Sequence, residues 1–371
     1  MVTSPKKTTI CIDARFWGTR HTGIGRYVEN LVDHLPEDPS TQIILIVSQD
    51  LKDEPKLARF KKFFASHHPY SVLSLFEMSI LLHQIKPDLL HVPHITIPIF
   101  WPGKIIVTIH DLIKHSNPSP ESSTKPSIIY WLKFVEYLAM FHFTLWRASH
   151  IIVPSKYWKD VLHSKYGLDY SRISVTYEGV DTRFKRLAAP DIDLPDHPYV
   201  LYVGNVYPHK NIPTLLSAIK ELNGQVLLVI ACARSVFTAR LQKIIDQENL
   251  GKWVRLVGFV SDSELKSLYQ NAMAFVFPSL IEGFGLPGLE AMSLGCPVIS
   301  SNATCLPEIY GDSVLYFSPH DSHDLVDKIQ TVLDSPSLRA KLIKKGLAQS
   351  TKYSWAKMGR LTWEIYQKTL H

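Results

Sequence analysis

Short continuous apolar runs alternate along this chain with longer stretches whose apolar residues recur at helical spacing. In the first half the runs at 10–13, 42–48, 88–93, 105–110 and 150–154 lack a polar-apolar alternation. That pattern predicts parallel strands covered on both faces. Stretches 25–35, 76–85, 128–147 and 156–165 between them predict helices. The second half repeats the rhythm, with strands predicted at 199–204, 226–231, 254–259, 274–278, 297–300 and 314–317 and helices between them. Each series is about what one doubly wound α/β domain requires, so the pattern predicts an α/β fold of two Rossmann-like domains.

A boundary is expected in 186–198 (RLAAPDIDLPDHP), which is rich in proline and aspartate and has no amphipathic period. The predicted domains are 1–186, completed by a C-terminal helix over 353–371, and 187–352. At 371 residues and 46% hydrophobic content both can bury a core. The segment before Asp13 has no apolar stretch of the kind a leader peptide needs. No run of 18 uncharged apolar residues occurs. Cys11, Cys232, Cys296 and Cys305 are scattered, which suits a reduced, cytoplasmic protein and not a zinc site. The formal charge of +6 fits phosphorylated ligands or an anionic membrane surface as well as an ordinary soluble exterior. It points to no nucleic-acid partner, and oligomeric state is not legible. Segment 128–147 (IIYWLKFVEYLAMFHFTLWR) is packed with aromatic rings and reads as a large buried helix of the first domain. The alternative is a face that meets a membrane or a lipid acceptor.

The chemistry concentrates in 282–290, EGFGLPGLE, where Glu282 and Glu290 bracket a glycine-rich bend that enters a helix. Glycines allow close backbone approach, and a helix start presents free N–H groups to an anion. Carboxylates beside such donors suit a ligand with both hydroxyls and phosphates. Gly23 and Gly25 sit at the first strand-to-helix turn, where a phosphate could approach or the chain could simply turn tightly. Asn205 and Lys210 occupy the loop that opens the second domain. Lys210 precedes a helix with Asn211 as its N-cap and can neutralise a diphosphate. His110 and Asp111 end a predicted parallel strand, where open α/β sheets place their ligands. His91 and His94 end another. Glu308 either accepts from a ligand or decorates a helix start.

Taken together the pieces TGIGRY (22–27), HDLI (110–113), VPSKYWKDVL (153–162), EGVDTRF (178–184), YVGNVYPHKN (202–211), GFVSDSEL (258–265), FPSLIEGFGLPGLEAM (277–292), GCPVIS (295–300) and LPEIYGDSVLYFSP (306–319) resemble the retaining glycosyltransferases of family 4. The E-x7-E element of Glu282 and Glu290 is the most specific of them. Several pieces look most like bacterial mannosyltransferases of polysaccharide and glycolipid assembly. The resemblance implies two facing Rossmann-like domains with a ligand cleft between them, the GT-B architecture. It implies that Glu282 bonds donor-sugar hydroxyls, Glu290 holds the ribose and Lys210 holds the diphosphate. Gly25 offers its amide to the same diphosphate from the first domain, beside Gly23, and His110 contacts the donor sugar. Phe284, Gly285 and Leu286 offer backbone amides, and Val260 lies against the nucleobase.

One departure stands out. Asn205 occupies a position where many members carry arginine, so Arg26, His209 or Arg234 would have to supply the missing charge, or Lys210 acts with helix dipoles alone. Glu178 stands where asparagine is usual. No Asp-x-Asp element lies in a suitable loop, so no cofactor and no metal are expected. The expected reaction moves mannose from GDP-mannose to a glycan or lipid-linked glycan, at the cytoplasmic side with peripheral membrane contact. Alternatives are a UDP-hexose donor, a sugar-nucleotide epimerase and a non-catalytic sugar-nucleotide binder.

Overall fold

The computed structural model describes residues 7–18, 22–123, 126–181, 186–188, 190, 195–232 and 235–371. The chain divides into two compact units. Met1–Asp111, Lys125–Glu178 and Trp355–His371 form the first; Leu112–Thr124 and Gly179–Ser354 form the second. The second unit therefore begins ahead of the expected 186–198 linker, of which 189 and 191–194 lie outside the described residues.

The first unit is built on a seven-stranded sheet in the order β3-β2-β1-β4-β5-β6-β7. Its strands are β1 (Thr8–Asp13), β2 (Thr41–Ser48), β3 (Lys61–Ala65), β4 (Leu89–Val92), β5 (Lys104–Thr108), β6 (His150–Val153) and β7 (Ile173–Val175), all paired in parallel. Ile10 sits between Ile43 and Leu89 at the point where strand order reverses, the position at which such sheets open a crevice at their C-terminal ends. Ile12, Leu45, Leu90, Ile106 and Ile152 are fully buried, which explains the continuous apolar runs. Two strands were not predicted, β3 and β7. Both lie at sheet edges, where one side needs no apolar partner, and β3 opens with Lys61 and Lys62.

The helices of this unit are α1 (Thr22–His34), α2 (Val72–Ile85), α4 (Ser127–Arg147), α5 (Lys156–Tyr166) and α13 (Trp355–Leu370), with the short α3 (Ile113–Ser116) assigned to the second unit. α13 packs on α1, where Gly359 leaves room for the His34 carbonyl. A buried chain of hydrogen bonds runs from Tyr366 Oη to His91 Nδ1 (2.5 Å), from His91 Nε2 to Thr108 Oγ1 (2.8 Å) and on to Tyr27 Oη (3.1 Å). It ties α13, β4, β5 and α1 together. Lys104 caps the end of α13 through the Thr369 and Leu370 carbonyls, both at 2.8 Å.

The expectation that 128–147 is a buried helix is corrected. Only Phe141, Thr144 and Leu145 of α4 are buried. Ile128, Leu132, Val135 and Trp146 are 64–76% exposed. The aromatic density has a local cause: Tyr130, Phe134, Tyr137 and Phe141 stack successively along the helix, with centroids 6.2–6.3 Å apart. By length and composition α4 could cross a membrane. Its last turns are nonetheless fastened to the unit, through Thr144 Oγ1 to the Ile95 carbonyl (2.6 Å) and Arg147 to the Trp101 and Gly103 carbonyls.

The second unit carries a six-stranded parallel sheet in the order β10-β9-β8-β11-β12-β13. The strands are β8 (Tyr199–Val203), β9 (Leu227–Ala231), β10 (Val254–Gly258), β11 (Ala274–Phe277), β12 (Val298–Ser301) and β13 (Leu315–Phe317). They alternate with α6 (Ile212–Leu222), α7 (Ser235–Gln247), α8 (Asp262–Asn271), α9 (Leu286–Ser293), α10 (Leu306–Tyr310) and α11 (Ser322–Asp334), and α12 (Pro336–Ser350) follows. Val200, Leu228, Val276 and Ile299 belong to one continuous core. The strand order reverses between β8 and β11, a second switch point.

Candidate functional site

The loops that leave β8 and β11 at the second unit's switch point bring Lys210 and Glu282 together. Lys210 Nζ donates to Glu282 Oε1 at 2.6 Å. The two side chains are 18% and 9% exposed, enough to meet a ligand and too little to be screened as a surface pair. The lysine sits in a short turn, Pro208–Lys210, closed by its own amide donating to the Tyr207 carbonyl at 2.8 Å. Asn211 follows in the left-handed region at φ 56°. Its side chain does not cap α6, as the sequence suggests. Instead its amide donates to the Pro278 and Pro319 carbonyls at 3.1 and 2.6 Å, fastening the lysine turn to the carboxylate loop.

Glu282 is held by its backbone. Its N–H donates to Thr304 Oγ1 at 3.1 Å, and the Cys305 thiol lies 3.3 Å from its carbonyl. Thr304 itself is in the left-handed region at φ 50°. The helix that this bend enters starts at Leu286, with Gly285 as its N-cap at φ 94°. A side chain at Gly285 or Gly288 would collide with the Tyr310 hydroxyl, which donates to the Gly285 carbonyl at 2.6 Å. The glycines of this bend are therefore required by the Tyr310 wedge as well as by backbone conformation. Glu290 lies about one turn inside α9 and is 4% exposed. Phe284 is buried edge-on against Tyr353, with ring centroids 5.4 Å apart. Leu286 is buried, and the amides of 284–286 lie at the helix start.

The other second-unit residues singled out in the sequence have these surroundings. The Asn205 carbonyl accepts from the buried Tyr202 hydroxyl at 2.7 Å. Val260 is half-buried between β10 and α8, whose first turn is closed by a Ser261–Glu264 capping box. His209 stacks on Tyr207 at 5.7 Å and 13°. Burial, and then the neighbouring Lys210 charge, lower its pKa to about 4. His209 is thus neutral near pH 7 in this structure. Arg234 lies outside the described residues. Glu308 is in the first turn of α10, half-buried. Among the described residues no group of three or more His, Cys, Asp or Glu is arranged to hold a metal ion.

In the first unit Gly23 and Gly25 fall inside the first turn of α1. Gly23 is exposed and Gly25 buried. A Cβ at Gly25 would overlap the carbonyls of Phe16 and Gly18, so this glycine lets the loop after β1 cross the helix start. His110 follows β5. Its Nε2 donates to the Pro93 carbonyl at 3.2 Å, and Nδ1 lies 3.4 Å from Glu178 Oε1. Tyr27 packs edge-on at 4.7 Å. Both ring nitrogens face acceptors, and the ring plane is fixed on three sides.

Neighbouring buried residues form a separate network. Arg15 grips Asp13 through Nε (2.8 Å) and Nη2 (2.6 Å) and reaches Ser74 at 2.5 Å. His94 Nε2 lies 3.0 Å from Asp13, while its Nδ1 accepts from the Thr96 amide at 3.1 Å. Burial works against the Asp13 carboxylate, but Arg15 and His94 outweigh it and hold its pKa below the usual range. Burial also lowers the His94 and His91 pKa values. His91 and His94 are both fully enclosed and hydrogen-bonded within the core.

Two family models match successive parts of the chain: Glycosyltransferase Family 4 over 21–184 and Glycosyl transferases group 1 over 188–349. O-antigen chain mannosyltransferase B of Escherichia coli is 38% identical over 173 residues, which is 46% of this chain and 45% of that protein. O-antigen chain mannosyltransferase RfbU of Salmonella typhimurium is 29% identical over 244 residues, 66% of this chain and 64% of that protein. The matched region is thus less than half of the first relative and under two thirds of the second. Among solved structures, sucrose-phosphate synthase from Thermosynechococcus elongatus superposes with a TM-score of 0.76 at 19% identity, covering 98% of this chain and 99% of that one, and so shares its fold. With one model over each half of the chain, this protein belongs to the glycosyltransferases built from a family 4 domain followed by a group 1 domain.

Proposed function

We propose that this protein transfers a hexose, mannose from GDP-mannose, to a glycan or lipid-linked glycan acceptor with retention of anomeric configuration. The observation that carries the reading is the Lys210–Glu282 contact at the switch point of the second unit. Two mannosyltransferases of O-antigen chains among the relatives support the choice of sugar. In the reaction the anomeric C–O bond of the donor breaks and the diphosphate leaves with the bonding pair. The acceptor oxygen bonds to the same carbon, and its proton passes to the departing phosphate oxygen.

Each residue has a task in that step. Lys210 and the amides at the α9 start take up the charge that develops on the diphosphate. As Lys210 turns to phosphate, Glu282 is released to accept from sugar hydroxyls. It orients the sugar and forms no covalent bond to it. Glu290 accepts from the ribose and Val260 lies against the base; in the first unit, His110 is the residue that the family resemblance assigns to the sugar. A charged contact of the Lys210 kind is worth ~2–4 kcal/mol at a transition state. No step is routed through a metal.

A thermal-shift panel of GDP-, UDP- and ADP-sugars tests the donor, since a ligand that binds only the folded state raises Tm. GDP-mannose is expected to give the largest rise. A larger rise with a UDP-hexose would redirect the reading to that donor. Released nucleoside diphosphate with acceptor present is expected, and epimerised free nucleotide-sugar without acceptor would overturn the transferase reading.

A further inference from the structure

The first unit displays an apolar stripe that its own core does not use. Ile128, Leu132, Val135, Ala139 and Trp146 of α4 are all exposed, interrupted on the same line by the exposed polar His142. Their spacings of three and four residues return to one angular position after five turns, so they share one helix face about 27 Å long. Trp131 beside them is 46% exposed. A second stripe runs along α2, where Val72, Leu73, Phe76 and Ile80 are 48–61% exposed. Phe100, 58% exposed, extends it, with its ring 5.6 Å from Phe76. The two helices grip the same loop between β4 and β5: Ser79 of α2 accepts from the Phe100 amide, and Thr144 and Arg147 of α4 donate to the Ile95 and Trp101 carbonyls.

Charge identifies the occupant. The residues of the first unit include 22 Lys and Arg against 16 Asp and Glu, a formal +6. Those of the second unit include 18 of each, so the whole excess of the chain resides on the unit that carries the stripes. Like charge repels a second copy of this chain and attracts an anionic surface. Exposed tryptophan on an apolar helix face suits the boundary between headgroups and acyl chains. Lys133, Glu136 and the fastened last turns of α4 keep the helix from crossing the bilayer.

We infer that the α2–α4 face of the first unit lies on an anionic lipid bilayer, with the apolar stripes inserted at headgroup depth. This surface deepens the lipid-linked acceptor of the proposed function and rests on that reading only for its purpose, since membrane binding is measured without turnover. The test is co-sedimentation of the full chain with vesicles of phosphatidylcholine alone and of phosphatidylcholine with phosphatidylglycerol. The expected result is partition to the anionic vesicles. The variant I128Q/L132Q/V135Q is expected to lose at least tenfold in partition while keeping the Tm and the nucleotide-sugar thermal shift of the parent. Tryptophan emission is expected to move to the blue on the anionic vesicles, less so in W146F. Failure to partition, or partition that the glutamine variant leaves intact, would overturn the inference. So would a dimer in light scattering that the same variant dissolves, since a second copy would then cover the face. A retained thermal shift alongside failed partition leaves the donor reading standing and removes only the surface.

Discussion

Lys210 and Glu282 face each other as an ion pair at 2.6 Å. Replacing lysine leaves a nearly buried carboxylate without its cation and removes the charge offered to phosphate. Lys210→Ala is expected to lower kcat/KM by about 10²-fold or more. Steady-state kinetics with wild-type-like values in that variant would exclude the lysine from the site. Glu290→Ala is expected to weaken nucleoside diphosphate binding in calorimetry with kcat little changed. Glu178 is the residue whose meaning came only with coordinates. Nothing in its neighbours along the chain shows that it ends 3.4 Å from His110, because the two are 68 residues apart. Glu178→Ala frees one side of the His110 ring and is expected to lower kcat about tenfold with little change in KM, a loss of orientation in the transition state alone. Glu178→Gln, which keeps the length, should recover part of it, and equal losses in both variants would argue for a mere packing role.

Among elements, the strands buried on both faces were legible because a parallel sheet leaves continuous apolar runs. Edge strands β3 and β7 were not, since half of each needs no core. Segment 128–147 failed for a different reason. Aromatic density reports burial only when the rings meet other elements, and here many of them meet their own neighbours one turn away. The glycine bends were visible in the sequence, but their cause was not. Gly25 is required by the Phe16 and Gly18 carbonyls, and Gly285 and Gly288 by the Tyr310 hydroxyl, partners far along the chain or across a turn. Gly25→Ala is accordingly expected to destabilise the first unit and displace the loop after β1. The measurement is a chemical denaturation curve, with a loss of ~1–3 kcal/mol from overpacking and strain expected. An unchanged midpoint would mean that the helix start shifts freely.

At the scale of the whole molecule the titration of buried histidines sets an acid limit. Burial, first, lowers the pKa of His91 to about 3 and of His150 and His209 to about 4. In the unfolded chain these rings take up protons near pH ~6.5. Between those values the unfolded state binds more protons than the folded state, so stability falls as pH falls. Their contribution is full above about pH 6.5, declines towards about pH 4 and changes little below about pH 3. Urea midpoints measured at pH 7.5 and pH 5 are expected to be lower at the acid value, and equal midpoints would contradict the burial of these rings.

The bond between Tyr366 and His91 spans 275 positions of sequence. Everything in the second unit up to Ser354 is encoded between the two partners. During synthesis the first unit therefore waits, with the α1 and His91 side of α13's seat uncovered, until α13 has been made. A nascent chain of this design keeps that surface open while the whole of the second unit is being made.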